Sequence, residues 1–272
     1  MLFMKYGFLL PALLAVIACN TPRQATVTST NAPGQLVIDG KLWSSIFQQR
    51  AAEYKALCIQ AYNIARLRVD EALRERPNPG KLAIITDIDE TFLDNSPNSV
   101  HQALLGKDYE QAAWTEWTSK GIADTLSGAL AFFNYAAFKN IEIFYITNRD
   151  EKDKAGTVDN LKRFHFPYAD NQHVVVRGAS SSKEERRQQV ATTHEIILLL
   201  GDNLADFSAL FDKKTEAERD QNVQQLADLF GKKFIVLPNF NYGGWEDAIY
   251  DNRRDWTPAQ KDSLLKSRLK SY

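Results

Sequence analysis

The chain has 272 residues, 44% of them hydrophobic and 25% charged, a composition that suits one or two globular units and excludes a disordered chain, a collagen-like repeat and a multi-span membrane protein. Lysines and arginines number 33 against 34 acids, for a net charge of -1, so no bulk field recruits a nucleic-acid polymer and charged partners must be met locally. The 2 cysteines are too few for a disulfide scaffold.

The chain opens on a short segment carrying Lys5 and continues through an apolar run, Phe8 to Ala18, that stops at Cys19. The run is short for a membrane span and has the anatomy of a secretory signal peptide. Val16-Ile17-Ala18-Cys19 resembles the lipobox of bacterial lipoproteins, which implies removal of residues 1–18 and a lipid anchor on Cys19. By the same resemblance, Asn20 implies an outer-membrane lipoprotein facing the periplasm or the exterior. Cys58 is then left without a partner and reads as a small buried hydrophobe. Residues 19–40, rich in Thr, Ser, Asn, Pro and Gly, read as a flexible tether, and the folded domain is expected over 41–272.

From Trp43, apolar residues at Ile46, Phe47, Tyr54, Leu57, Cys58, Ala61, Ile64 and Ala65 recur at helical spacing until Pro77-Asn78-Pro79-Gly80, predicting one long amphipathic helix. Short apolar runs follow at Leu82–Thr86, Ile141–Thr147, Val174–Val176, Ile196–Leu200 and Phe234–Leu237, separated by helical stretches. Continuous apolar strands alternating with helices predict an α/β fold: a Rossmann-like parallel sheet with helices on both faces and ligands beyond the carboxyl ends of the strands. The long stretch at about 92–140, with Trp114, Trp117 and apolar Ala129–Phe138, predicts a small, mostly helical cap. His101, His165, His173 and His194 have no zinc-like spacing and read as structural.

The strands run into polar residues. The first ends in Asp87-Ile88-Asp89-Glu90-Thr91, the second in Thr147-Asn148-Arg149, and the fourth in Gly201-Asp202-Asn203-Leu204-Ala205-Asp206; Ser182-Lys183 follows the third. Two acids at i and i+2 leaving a strand offer one crevice a nucleophile and a proton carrier. These elements, in this order, resemble the haloacid dehalogenase superfamily of phosphatases. With Asn95-Ser96-Pro97, Lys183-Glu184-Glu185-Arg186-Arg187 and Leu237-Pro238-Asn239-Phe240-Asn241-Tyr242-Gly243-Gly244-Trp245, the chain from about Trp43 onward looks like the class C, or lipoprotein e, acid phosphatases.

The resemblance implies a membrane-anchored, Mg²⁺-dependent phosphomonoesterase with Asp87 as nucleophile and metal ligand. Asp89 would serve as acid and base, with its carbonyl on the metal; Asp202 would be the third ligand, with Asp206 behind it. Phosphate is a dianionic electrophile, and a cation between carboxylates reverses the local sign. Thr147 and Lys183 would bind the transferring oxygens. Ser182 to Glu185 fits a capping box that places Lys183 in a first helical turn, while Arg186 and Arg187 read as its solvated face. Asn148 and Arg149 either touch substrate or shape their loop. Trp114 and Tyr242 are the candidates for stacking on a nucleobase or nicotinamide, whereas Trp117 and Trp245 read as core. Asn98-Ser99 departs from the family's aromatic after Pro97, which makes a different substrate preference an expectation. The expected partner is a small phosphorylated molecule, a nucleoside 5′-monophosphate or nicotinamide mononucleotide, and the family implies a homodimer. A phosphotransferase using the same intermediate, or a non-catalytic surface binding lipoprotein, are the alternatives.

Overall fold

A computed structural model describes residues 34–76 and 80–272; the signal-like segment, Cys19 and most of the expected tether lie outside them. Five strands form a parallel sheet in the order β5-β4-β1-β6-β7: β1 (Leu82–Thr86), β4 (Glu142–Ile146), β5 (Val174–Val175), β6 (Glu195–Gly201) and β7 (Phe234–Val236). These are the five runs expected from the sequence. Ile84 lies opposite Ile143 of β4 and Leu198 of β6, so β1 is the central strand from which the connections diverge. Such a switch point leaves a crevice beyond the strand ends.

The apolar runs are continuous because both sheet faces are covered. Leu82, Ile84, Ile143, Tyr145, Leu198 and Leu200 enter one core with residues of α2 (Ala52–Glu75) and α5 (Ala129–Phe138). Ala83, Ile85, Phe144, Ile146 and Leu199 enter a second core with Val190 of α7 (Glu184–Ala191), Phe207 and Phe234. Cys58 is fully buried in the first, where burial pushes its thiol up to about 11.

The expected long helix is two. Helix α1 (Gln35–Arg50) and α2 are separated at Ala51, whose backbone is extended at φ -75° and ψ 130°. Helix α2 turns Tyr54, Cys58, Ala61, Ala65 and Val69 into the core. By contrast, the buried face of α1 is polar, with Lys41, Ser44, Ser45 and Gln48, and it leaves Trp43 and Ile46 exposed. The two helices pack on different neighbours: α1 on α3 (Ser96–Leu104) and α10 (Pro258–Arg268), α2 on α5, β6 and β7. A break at Ala51 lets each face meet its own neighbours. The tether expectation is also corrected at its end, since residues 35–40 belong to α1.

The cap is smaller than expected. Strands β2 (Leu93–Asp94) and β3 (Asp124–Thr125) pair antiparallel and bracket α3 and α4 (Gln111–Ser119). Helix α5 packs on α2 and β4, so Ala129–Phe138 is a core crossover helix outside the cap. Helix α4 rests on α6 (Lys154–Arg163) at Gly156, where any Cβ would overlap the Thr118 carbonyl. Helices α8 (Glu216–Gln225) and α9 (Gly244–Ile249) complete the chain order. At the amino-terminal end of β4, His173 and His194 each place Nε2 2.9 Å from a Glu142 oxygen, a structural role as expected. Among the described residues, no helix is long and apolar enough to cross a membrane.

Candidate active site

The backbone carries β1 rigidly into the site, because the Asp87 N–H donates to the Leu200 carbonyl at 2.9 Å and extends the β1–β6 pairing past the strand end. Carboxylate oxygens of Asp87, Asp202 and Asp206 lie within 4.8 Å of one another. Gly201 permits this, since a Cβ there would overlap the Asp206 carboxylate. Lys183 contacts Asp87 and stands 2.7 Å from Asp206. Asp202 accepts from Thr91 Oγ1 at 3.3 Å and Asn239 Nδ2 at 2.7 Å.

Three carboxylates around one ammonium leave the cluster under-compensated. Burial pushes the Asp87 carboxyl up against the opposing pull of Lys183, with Asp206 and Asp89 adding to the rise. Asp202 is raised well above the carboxylate range by burial and then by Asp206 and Asp87. Such an all-oxygen, anionic, partly desolvated donor set fits a hard divalent cation, whose charge would favour the ionised forms of Asp87 and Asp202.

Asp89 has different company. Arg149, 3% exposed, donates to Asp89 Oδ1 through Nη2 at 2.7 Å and Nε at 3.0 Å, and to Thr157 Oγ1 through Nη1 at 3.0 Å. Asn95 Nδ2 donates to the same Asp89 oxygen at 2.9 Å, and Thr147 Oγ1 lies 3.4 Å from the other. The two acids expected to share the chemistry are thus held by separate cations, Asp87 by Lys183 and Asp89 by Arg149. The Arg149 guanidinium is engaged with Asp89 and Thr157. Asn148 is exposed at the rim and accepts from Arg186 Nη2 at 2.7 Å.

Three expectations around α7 are corrected. No capping box forms: Lys183 itself is the N-cap residue, and Ser182 Oγ donates to Asp212 at 2.6 Å. Arg186 is half-buried, and its Nη1 donates to the Thr147 carbonyl at 2.6 Å. Arg187 is buried, donating to the carbonyls of Asp206 at 2.7 Å and Ala205 at 3.1 Å. Both arginines therefore fix backbone that carries expected site residues. A run of alternating charge at a helix start gives no sign of this, because the carbonyls they reach lie 18 to 39 residues away in sequence.

Trp114 is half-buried with its ring centroid 5.8 Å from the Arg149 guanidinium carbon, and Tyr242 donates its hydroxyl to Glu90. The structure thereby brings both aromatic candidates to the Asp89 side of the crevice. Trp117 is partly buried and donates its indole N–H to Asn95 at 2.8 Å. Trp245 is 42% exposed, which corrects its assignment to the core. Sequence reasoning missed Asn95, Asn239 and Glu90. Asn95 and Asn239 lay inside segments already singled out, and their signal was position: an amide one residue past the end of β2 and three past the end of β7.

The sequence pattern of the HAD superfamily, subfamily IIIB (acid phosphatase), matches residues 9–245. The class C acid phosphatase from Bacillus anthracis superposes with a TM-score of 0.83 at 39% identity, over 87% of this chain and 99% of that one. The same enzyme with tungstate bound gives 0.83 at 38%, over 88% and 99%. Acid phosphatase 1 from Solanum lycopersicum is 27% identical over 101 residues, a match that spans 37% of this chain and 39% of the tomato protein. With a parallel sheet converging on two strand-end aspartates, a lysine and a metal-fitting aspartate cluster, the chain belongs to the HAD superfamily acid phosphatases of subfamily IIIB, a family of phosphomonoesterases.

Proposed function

We propose that this chain is a Mg²⁺-dependent phosphomonoesterase that works through an aspartyl-phosphate on Asp87. The observation that carries the reading is the division of labour at the end of β1: Asp87 sits on Lys183 among the clustered aspartates, while Asp89, two residues on, is aimed by Arg149 and Asn95. The company of Asp87 supports it as the phosphoryl acceptor. That of Asp89 supports it as the proton carrier.

Asp87, the Asp89 carbonyl and Asp202 would hold the cation, with Asp206 engaged behind them by Lys183 and the Asn203 N–H at 3.0 Å. Bound there, Mg²⁺ supplies charge that screens carboxylate from phosphate and polarises the phosphoryl group. The Asp87 carboxylate oxygen attacks phosphorus as the ester P–O bond breaks, and Asp89 gives its proton to the departing alkoxide. Water then attacks the phosphorus of the aspartyl-phosphate and passes its proton to Asp89, which releases phosphate and regenerates both acids. Lys183 and Thr147 hold the non-bridging oxygens through both steps. The tungstate-bound Bacillus anthracis structure agrees with this reading, since tungstate, like phosphate, is a tetrahedral oxyanion.

Trp114 and Tyr242 beside Asp89 support a flat leaving group, as in a nucleoside 5′-monophosphate or nicotinamide mononucleotide. The lipobox-like segment supports anchoring through Cys19 at the outer membrane. The exposed Leu57, Ile59 and Leu67 on α2 would suit burial by a second copy. The deciding experiment is Asp87→Asn assayed on p-nitrophenyl phosphate with and without Mg²⁺: turnover falls about a thousandfold or more and no phosphorylated protein is trapped. Full turnover in that variant would refute the mechanism.

A further inference from the structure

One buried acid beside the site takes no part in these steps. Glu90 lies between Asp89 and Thr91 with 0% exposure and a φ of 54°, the left-handed region that a non-glycine residue keeps only where its surroundings over-determine it. They do so here. Oε1 accepts from the Asn95 backbone N–H at 2.8 Å and from Gln48 Nε2 at 3.4 Å, while Oε2 accepts from the Tyr242 hydroxyl and from Asn95 Nδ2 at 3.4 Å. One carboxyl group therefore joins the base of the cap, helix α1 and the loop after β7.

That loop is fixed at its other points too. Asn239 Oδ1 accepts from the backbone N–H groups of Asn241 at 2.8 Å and Tyr242 at 3.3 Å. Asn241 is buried and bonded to Ser44 at 2.8 Å and Gln48 at 3.0 Å. With its backbone tied to Asn239 and its hydroxyl to Glu90, the Tyr242 ring is held in place at both ends.

We propose that Glu90 is a positioning residue for leaving-group recognition, holding the Tyr242 ring as a fixed wall of the crevice against which a flat aromatic leaving group packs. The proposal rests on the reading of Tyr242 as a leaving-group contact. A ring ordered before binding spares the substrate the entropy of ordering it, and releasing it weakens aromatic substrates by roughly tenfold. A small aliphatic phosphomonoester never reaches the wall. A merely structural Glu90 would instead affect all substrates alike.

The test compares kcat and KM for adenosine 5′-monophosphate and for glycerol phosphate in Glu90→Gln, Tyr242→Phe, Tyr242→Ala and the Glu90→Gln/Tyr242→Phe double variant. We expect the ratio of kcat/KM between the two substrates to fall about tenfold in Glu90→Gln and in Tyr242→Phe, chiefly through KM for the nucleotide, and no further in the double variant. Equal losses on both substrates in Glu90→Gln, or losses that add in the double variant, would overturn the proposal. If Glu90→Gln fails to fold, Tyr242→Phe decides: it keeps the ring and removes only the bond to Glu90, so an unaltered ratio refutes the link. An unaltered ratio in Tyr242→Ala would instead defeat the reading of Tyr242 itself.

Discussion

Replacing Arg149 with lysine isolates the proton-carrying step. Arginine gives Asp89 two donors from one fork, at 2.7 and 3.0 Å, and a third to Thr157 at 3.0 Å. Lysine keeps the charge but is a point donor that cannot satisfy these groups together. The variant thus loses about one charge-assisted hydrogen bond at Asp89, on the order of 1.5–3 kcal/mol. At about 1.4 kcal/mol per tenfold in rate, misorienting Asp89 by that amount slows its proton transfer about 10- to 150-fold. The loss should depend on the leaving group. An alkyl phosphate, whose alkoxide must be protonated as it departs, shows the full effect. In contrast, p-nitrophenyl phosphate expels a stable phenolate and loses roughly two- to threefold. Steady-state kcat/KM on both substrates at saturating Mg²⁺ measures the difference. Equal losses on the two would place Arg149 on the phosphoryl group and refute its assignment to Asp89.

The amide of Asn239 orients Asp202, so Asn239→Leu should weaken metal activation about 10- to 100-fold, read as the Mg²⁺ concentration giving half-maximal turnover; an unshifted midpoint would show that Asp202 needs no such support. At the opposite end of the sheet, hydrogen bonds from His173 and His194 outweigh burial and hold the Glu142 carboxyl below its usual value of 4.5. A depressed carboxylate contributes stability that is present above 4.5 and is lost as pH falls through the lower folded value. The melting temperature of Glu142→Gln should therefore lie below that of the native chain at pH 6 and converge with it in stronger acid, and a gap that persists unchanged would contradict the sign.

What was legible in the sequence followed from short-range rules. The strands were readable because both faces of the sheet are buried, which leaves unbroken runs such as Ile84-Ile85 and Leu198-Leu199-Leu200. Asp87, Asp89, Thr147, Lys183 and Asp202 were readable because each sits where a strand or helix begins or ends. The polar interior was not. Helix α1 buries Lys41, which contacts the Asn241 carbonyl and Glu246 Oε2 at 3.1 Å, residues about 200 positions away. Hydrophobic periodicity ranks such a face as the solvent side, so it aligned Trp43 and Ile46 with the core and ran α1 into α2. Glu90 was hidden for the same reason: an acid beside two motif aspartates looks like a solvated turn until its partners Gln48, Asn95 and Tyr242 come together.

The two outer strands of the five-stranded sheet are its shortest members: β5 has 2 residues and β7 has 3. A strand that brief offers an incoming chain too few free amides and carbonyls to template β-pairing. Where copies of a chain meet at high concentration, long open edges would invite cross-β aggregation. Short outer strands remove that template by geometry, without any need for charged or proline gatekeepers along the edge.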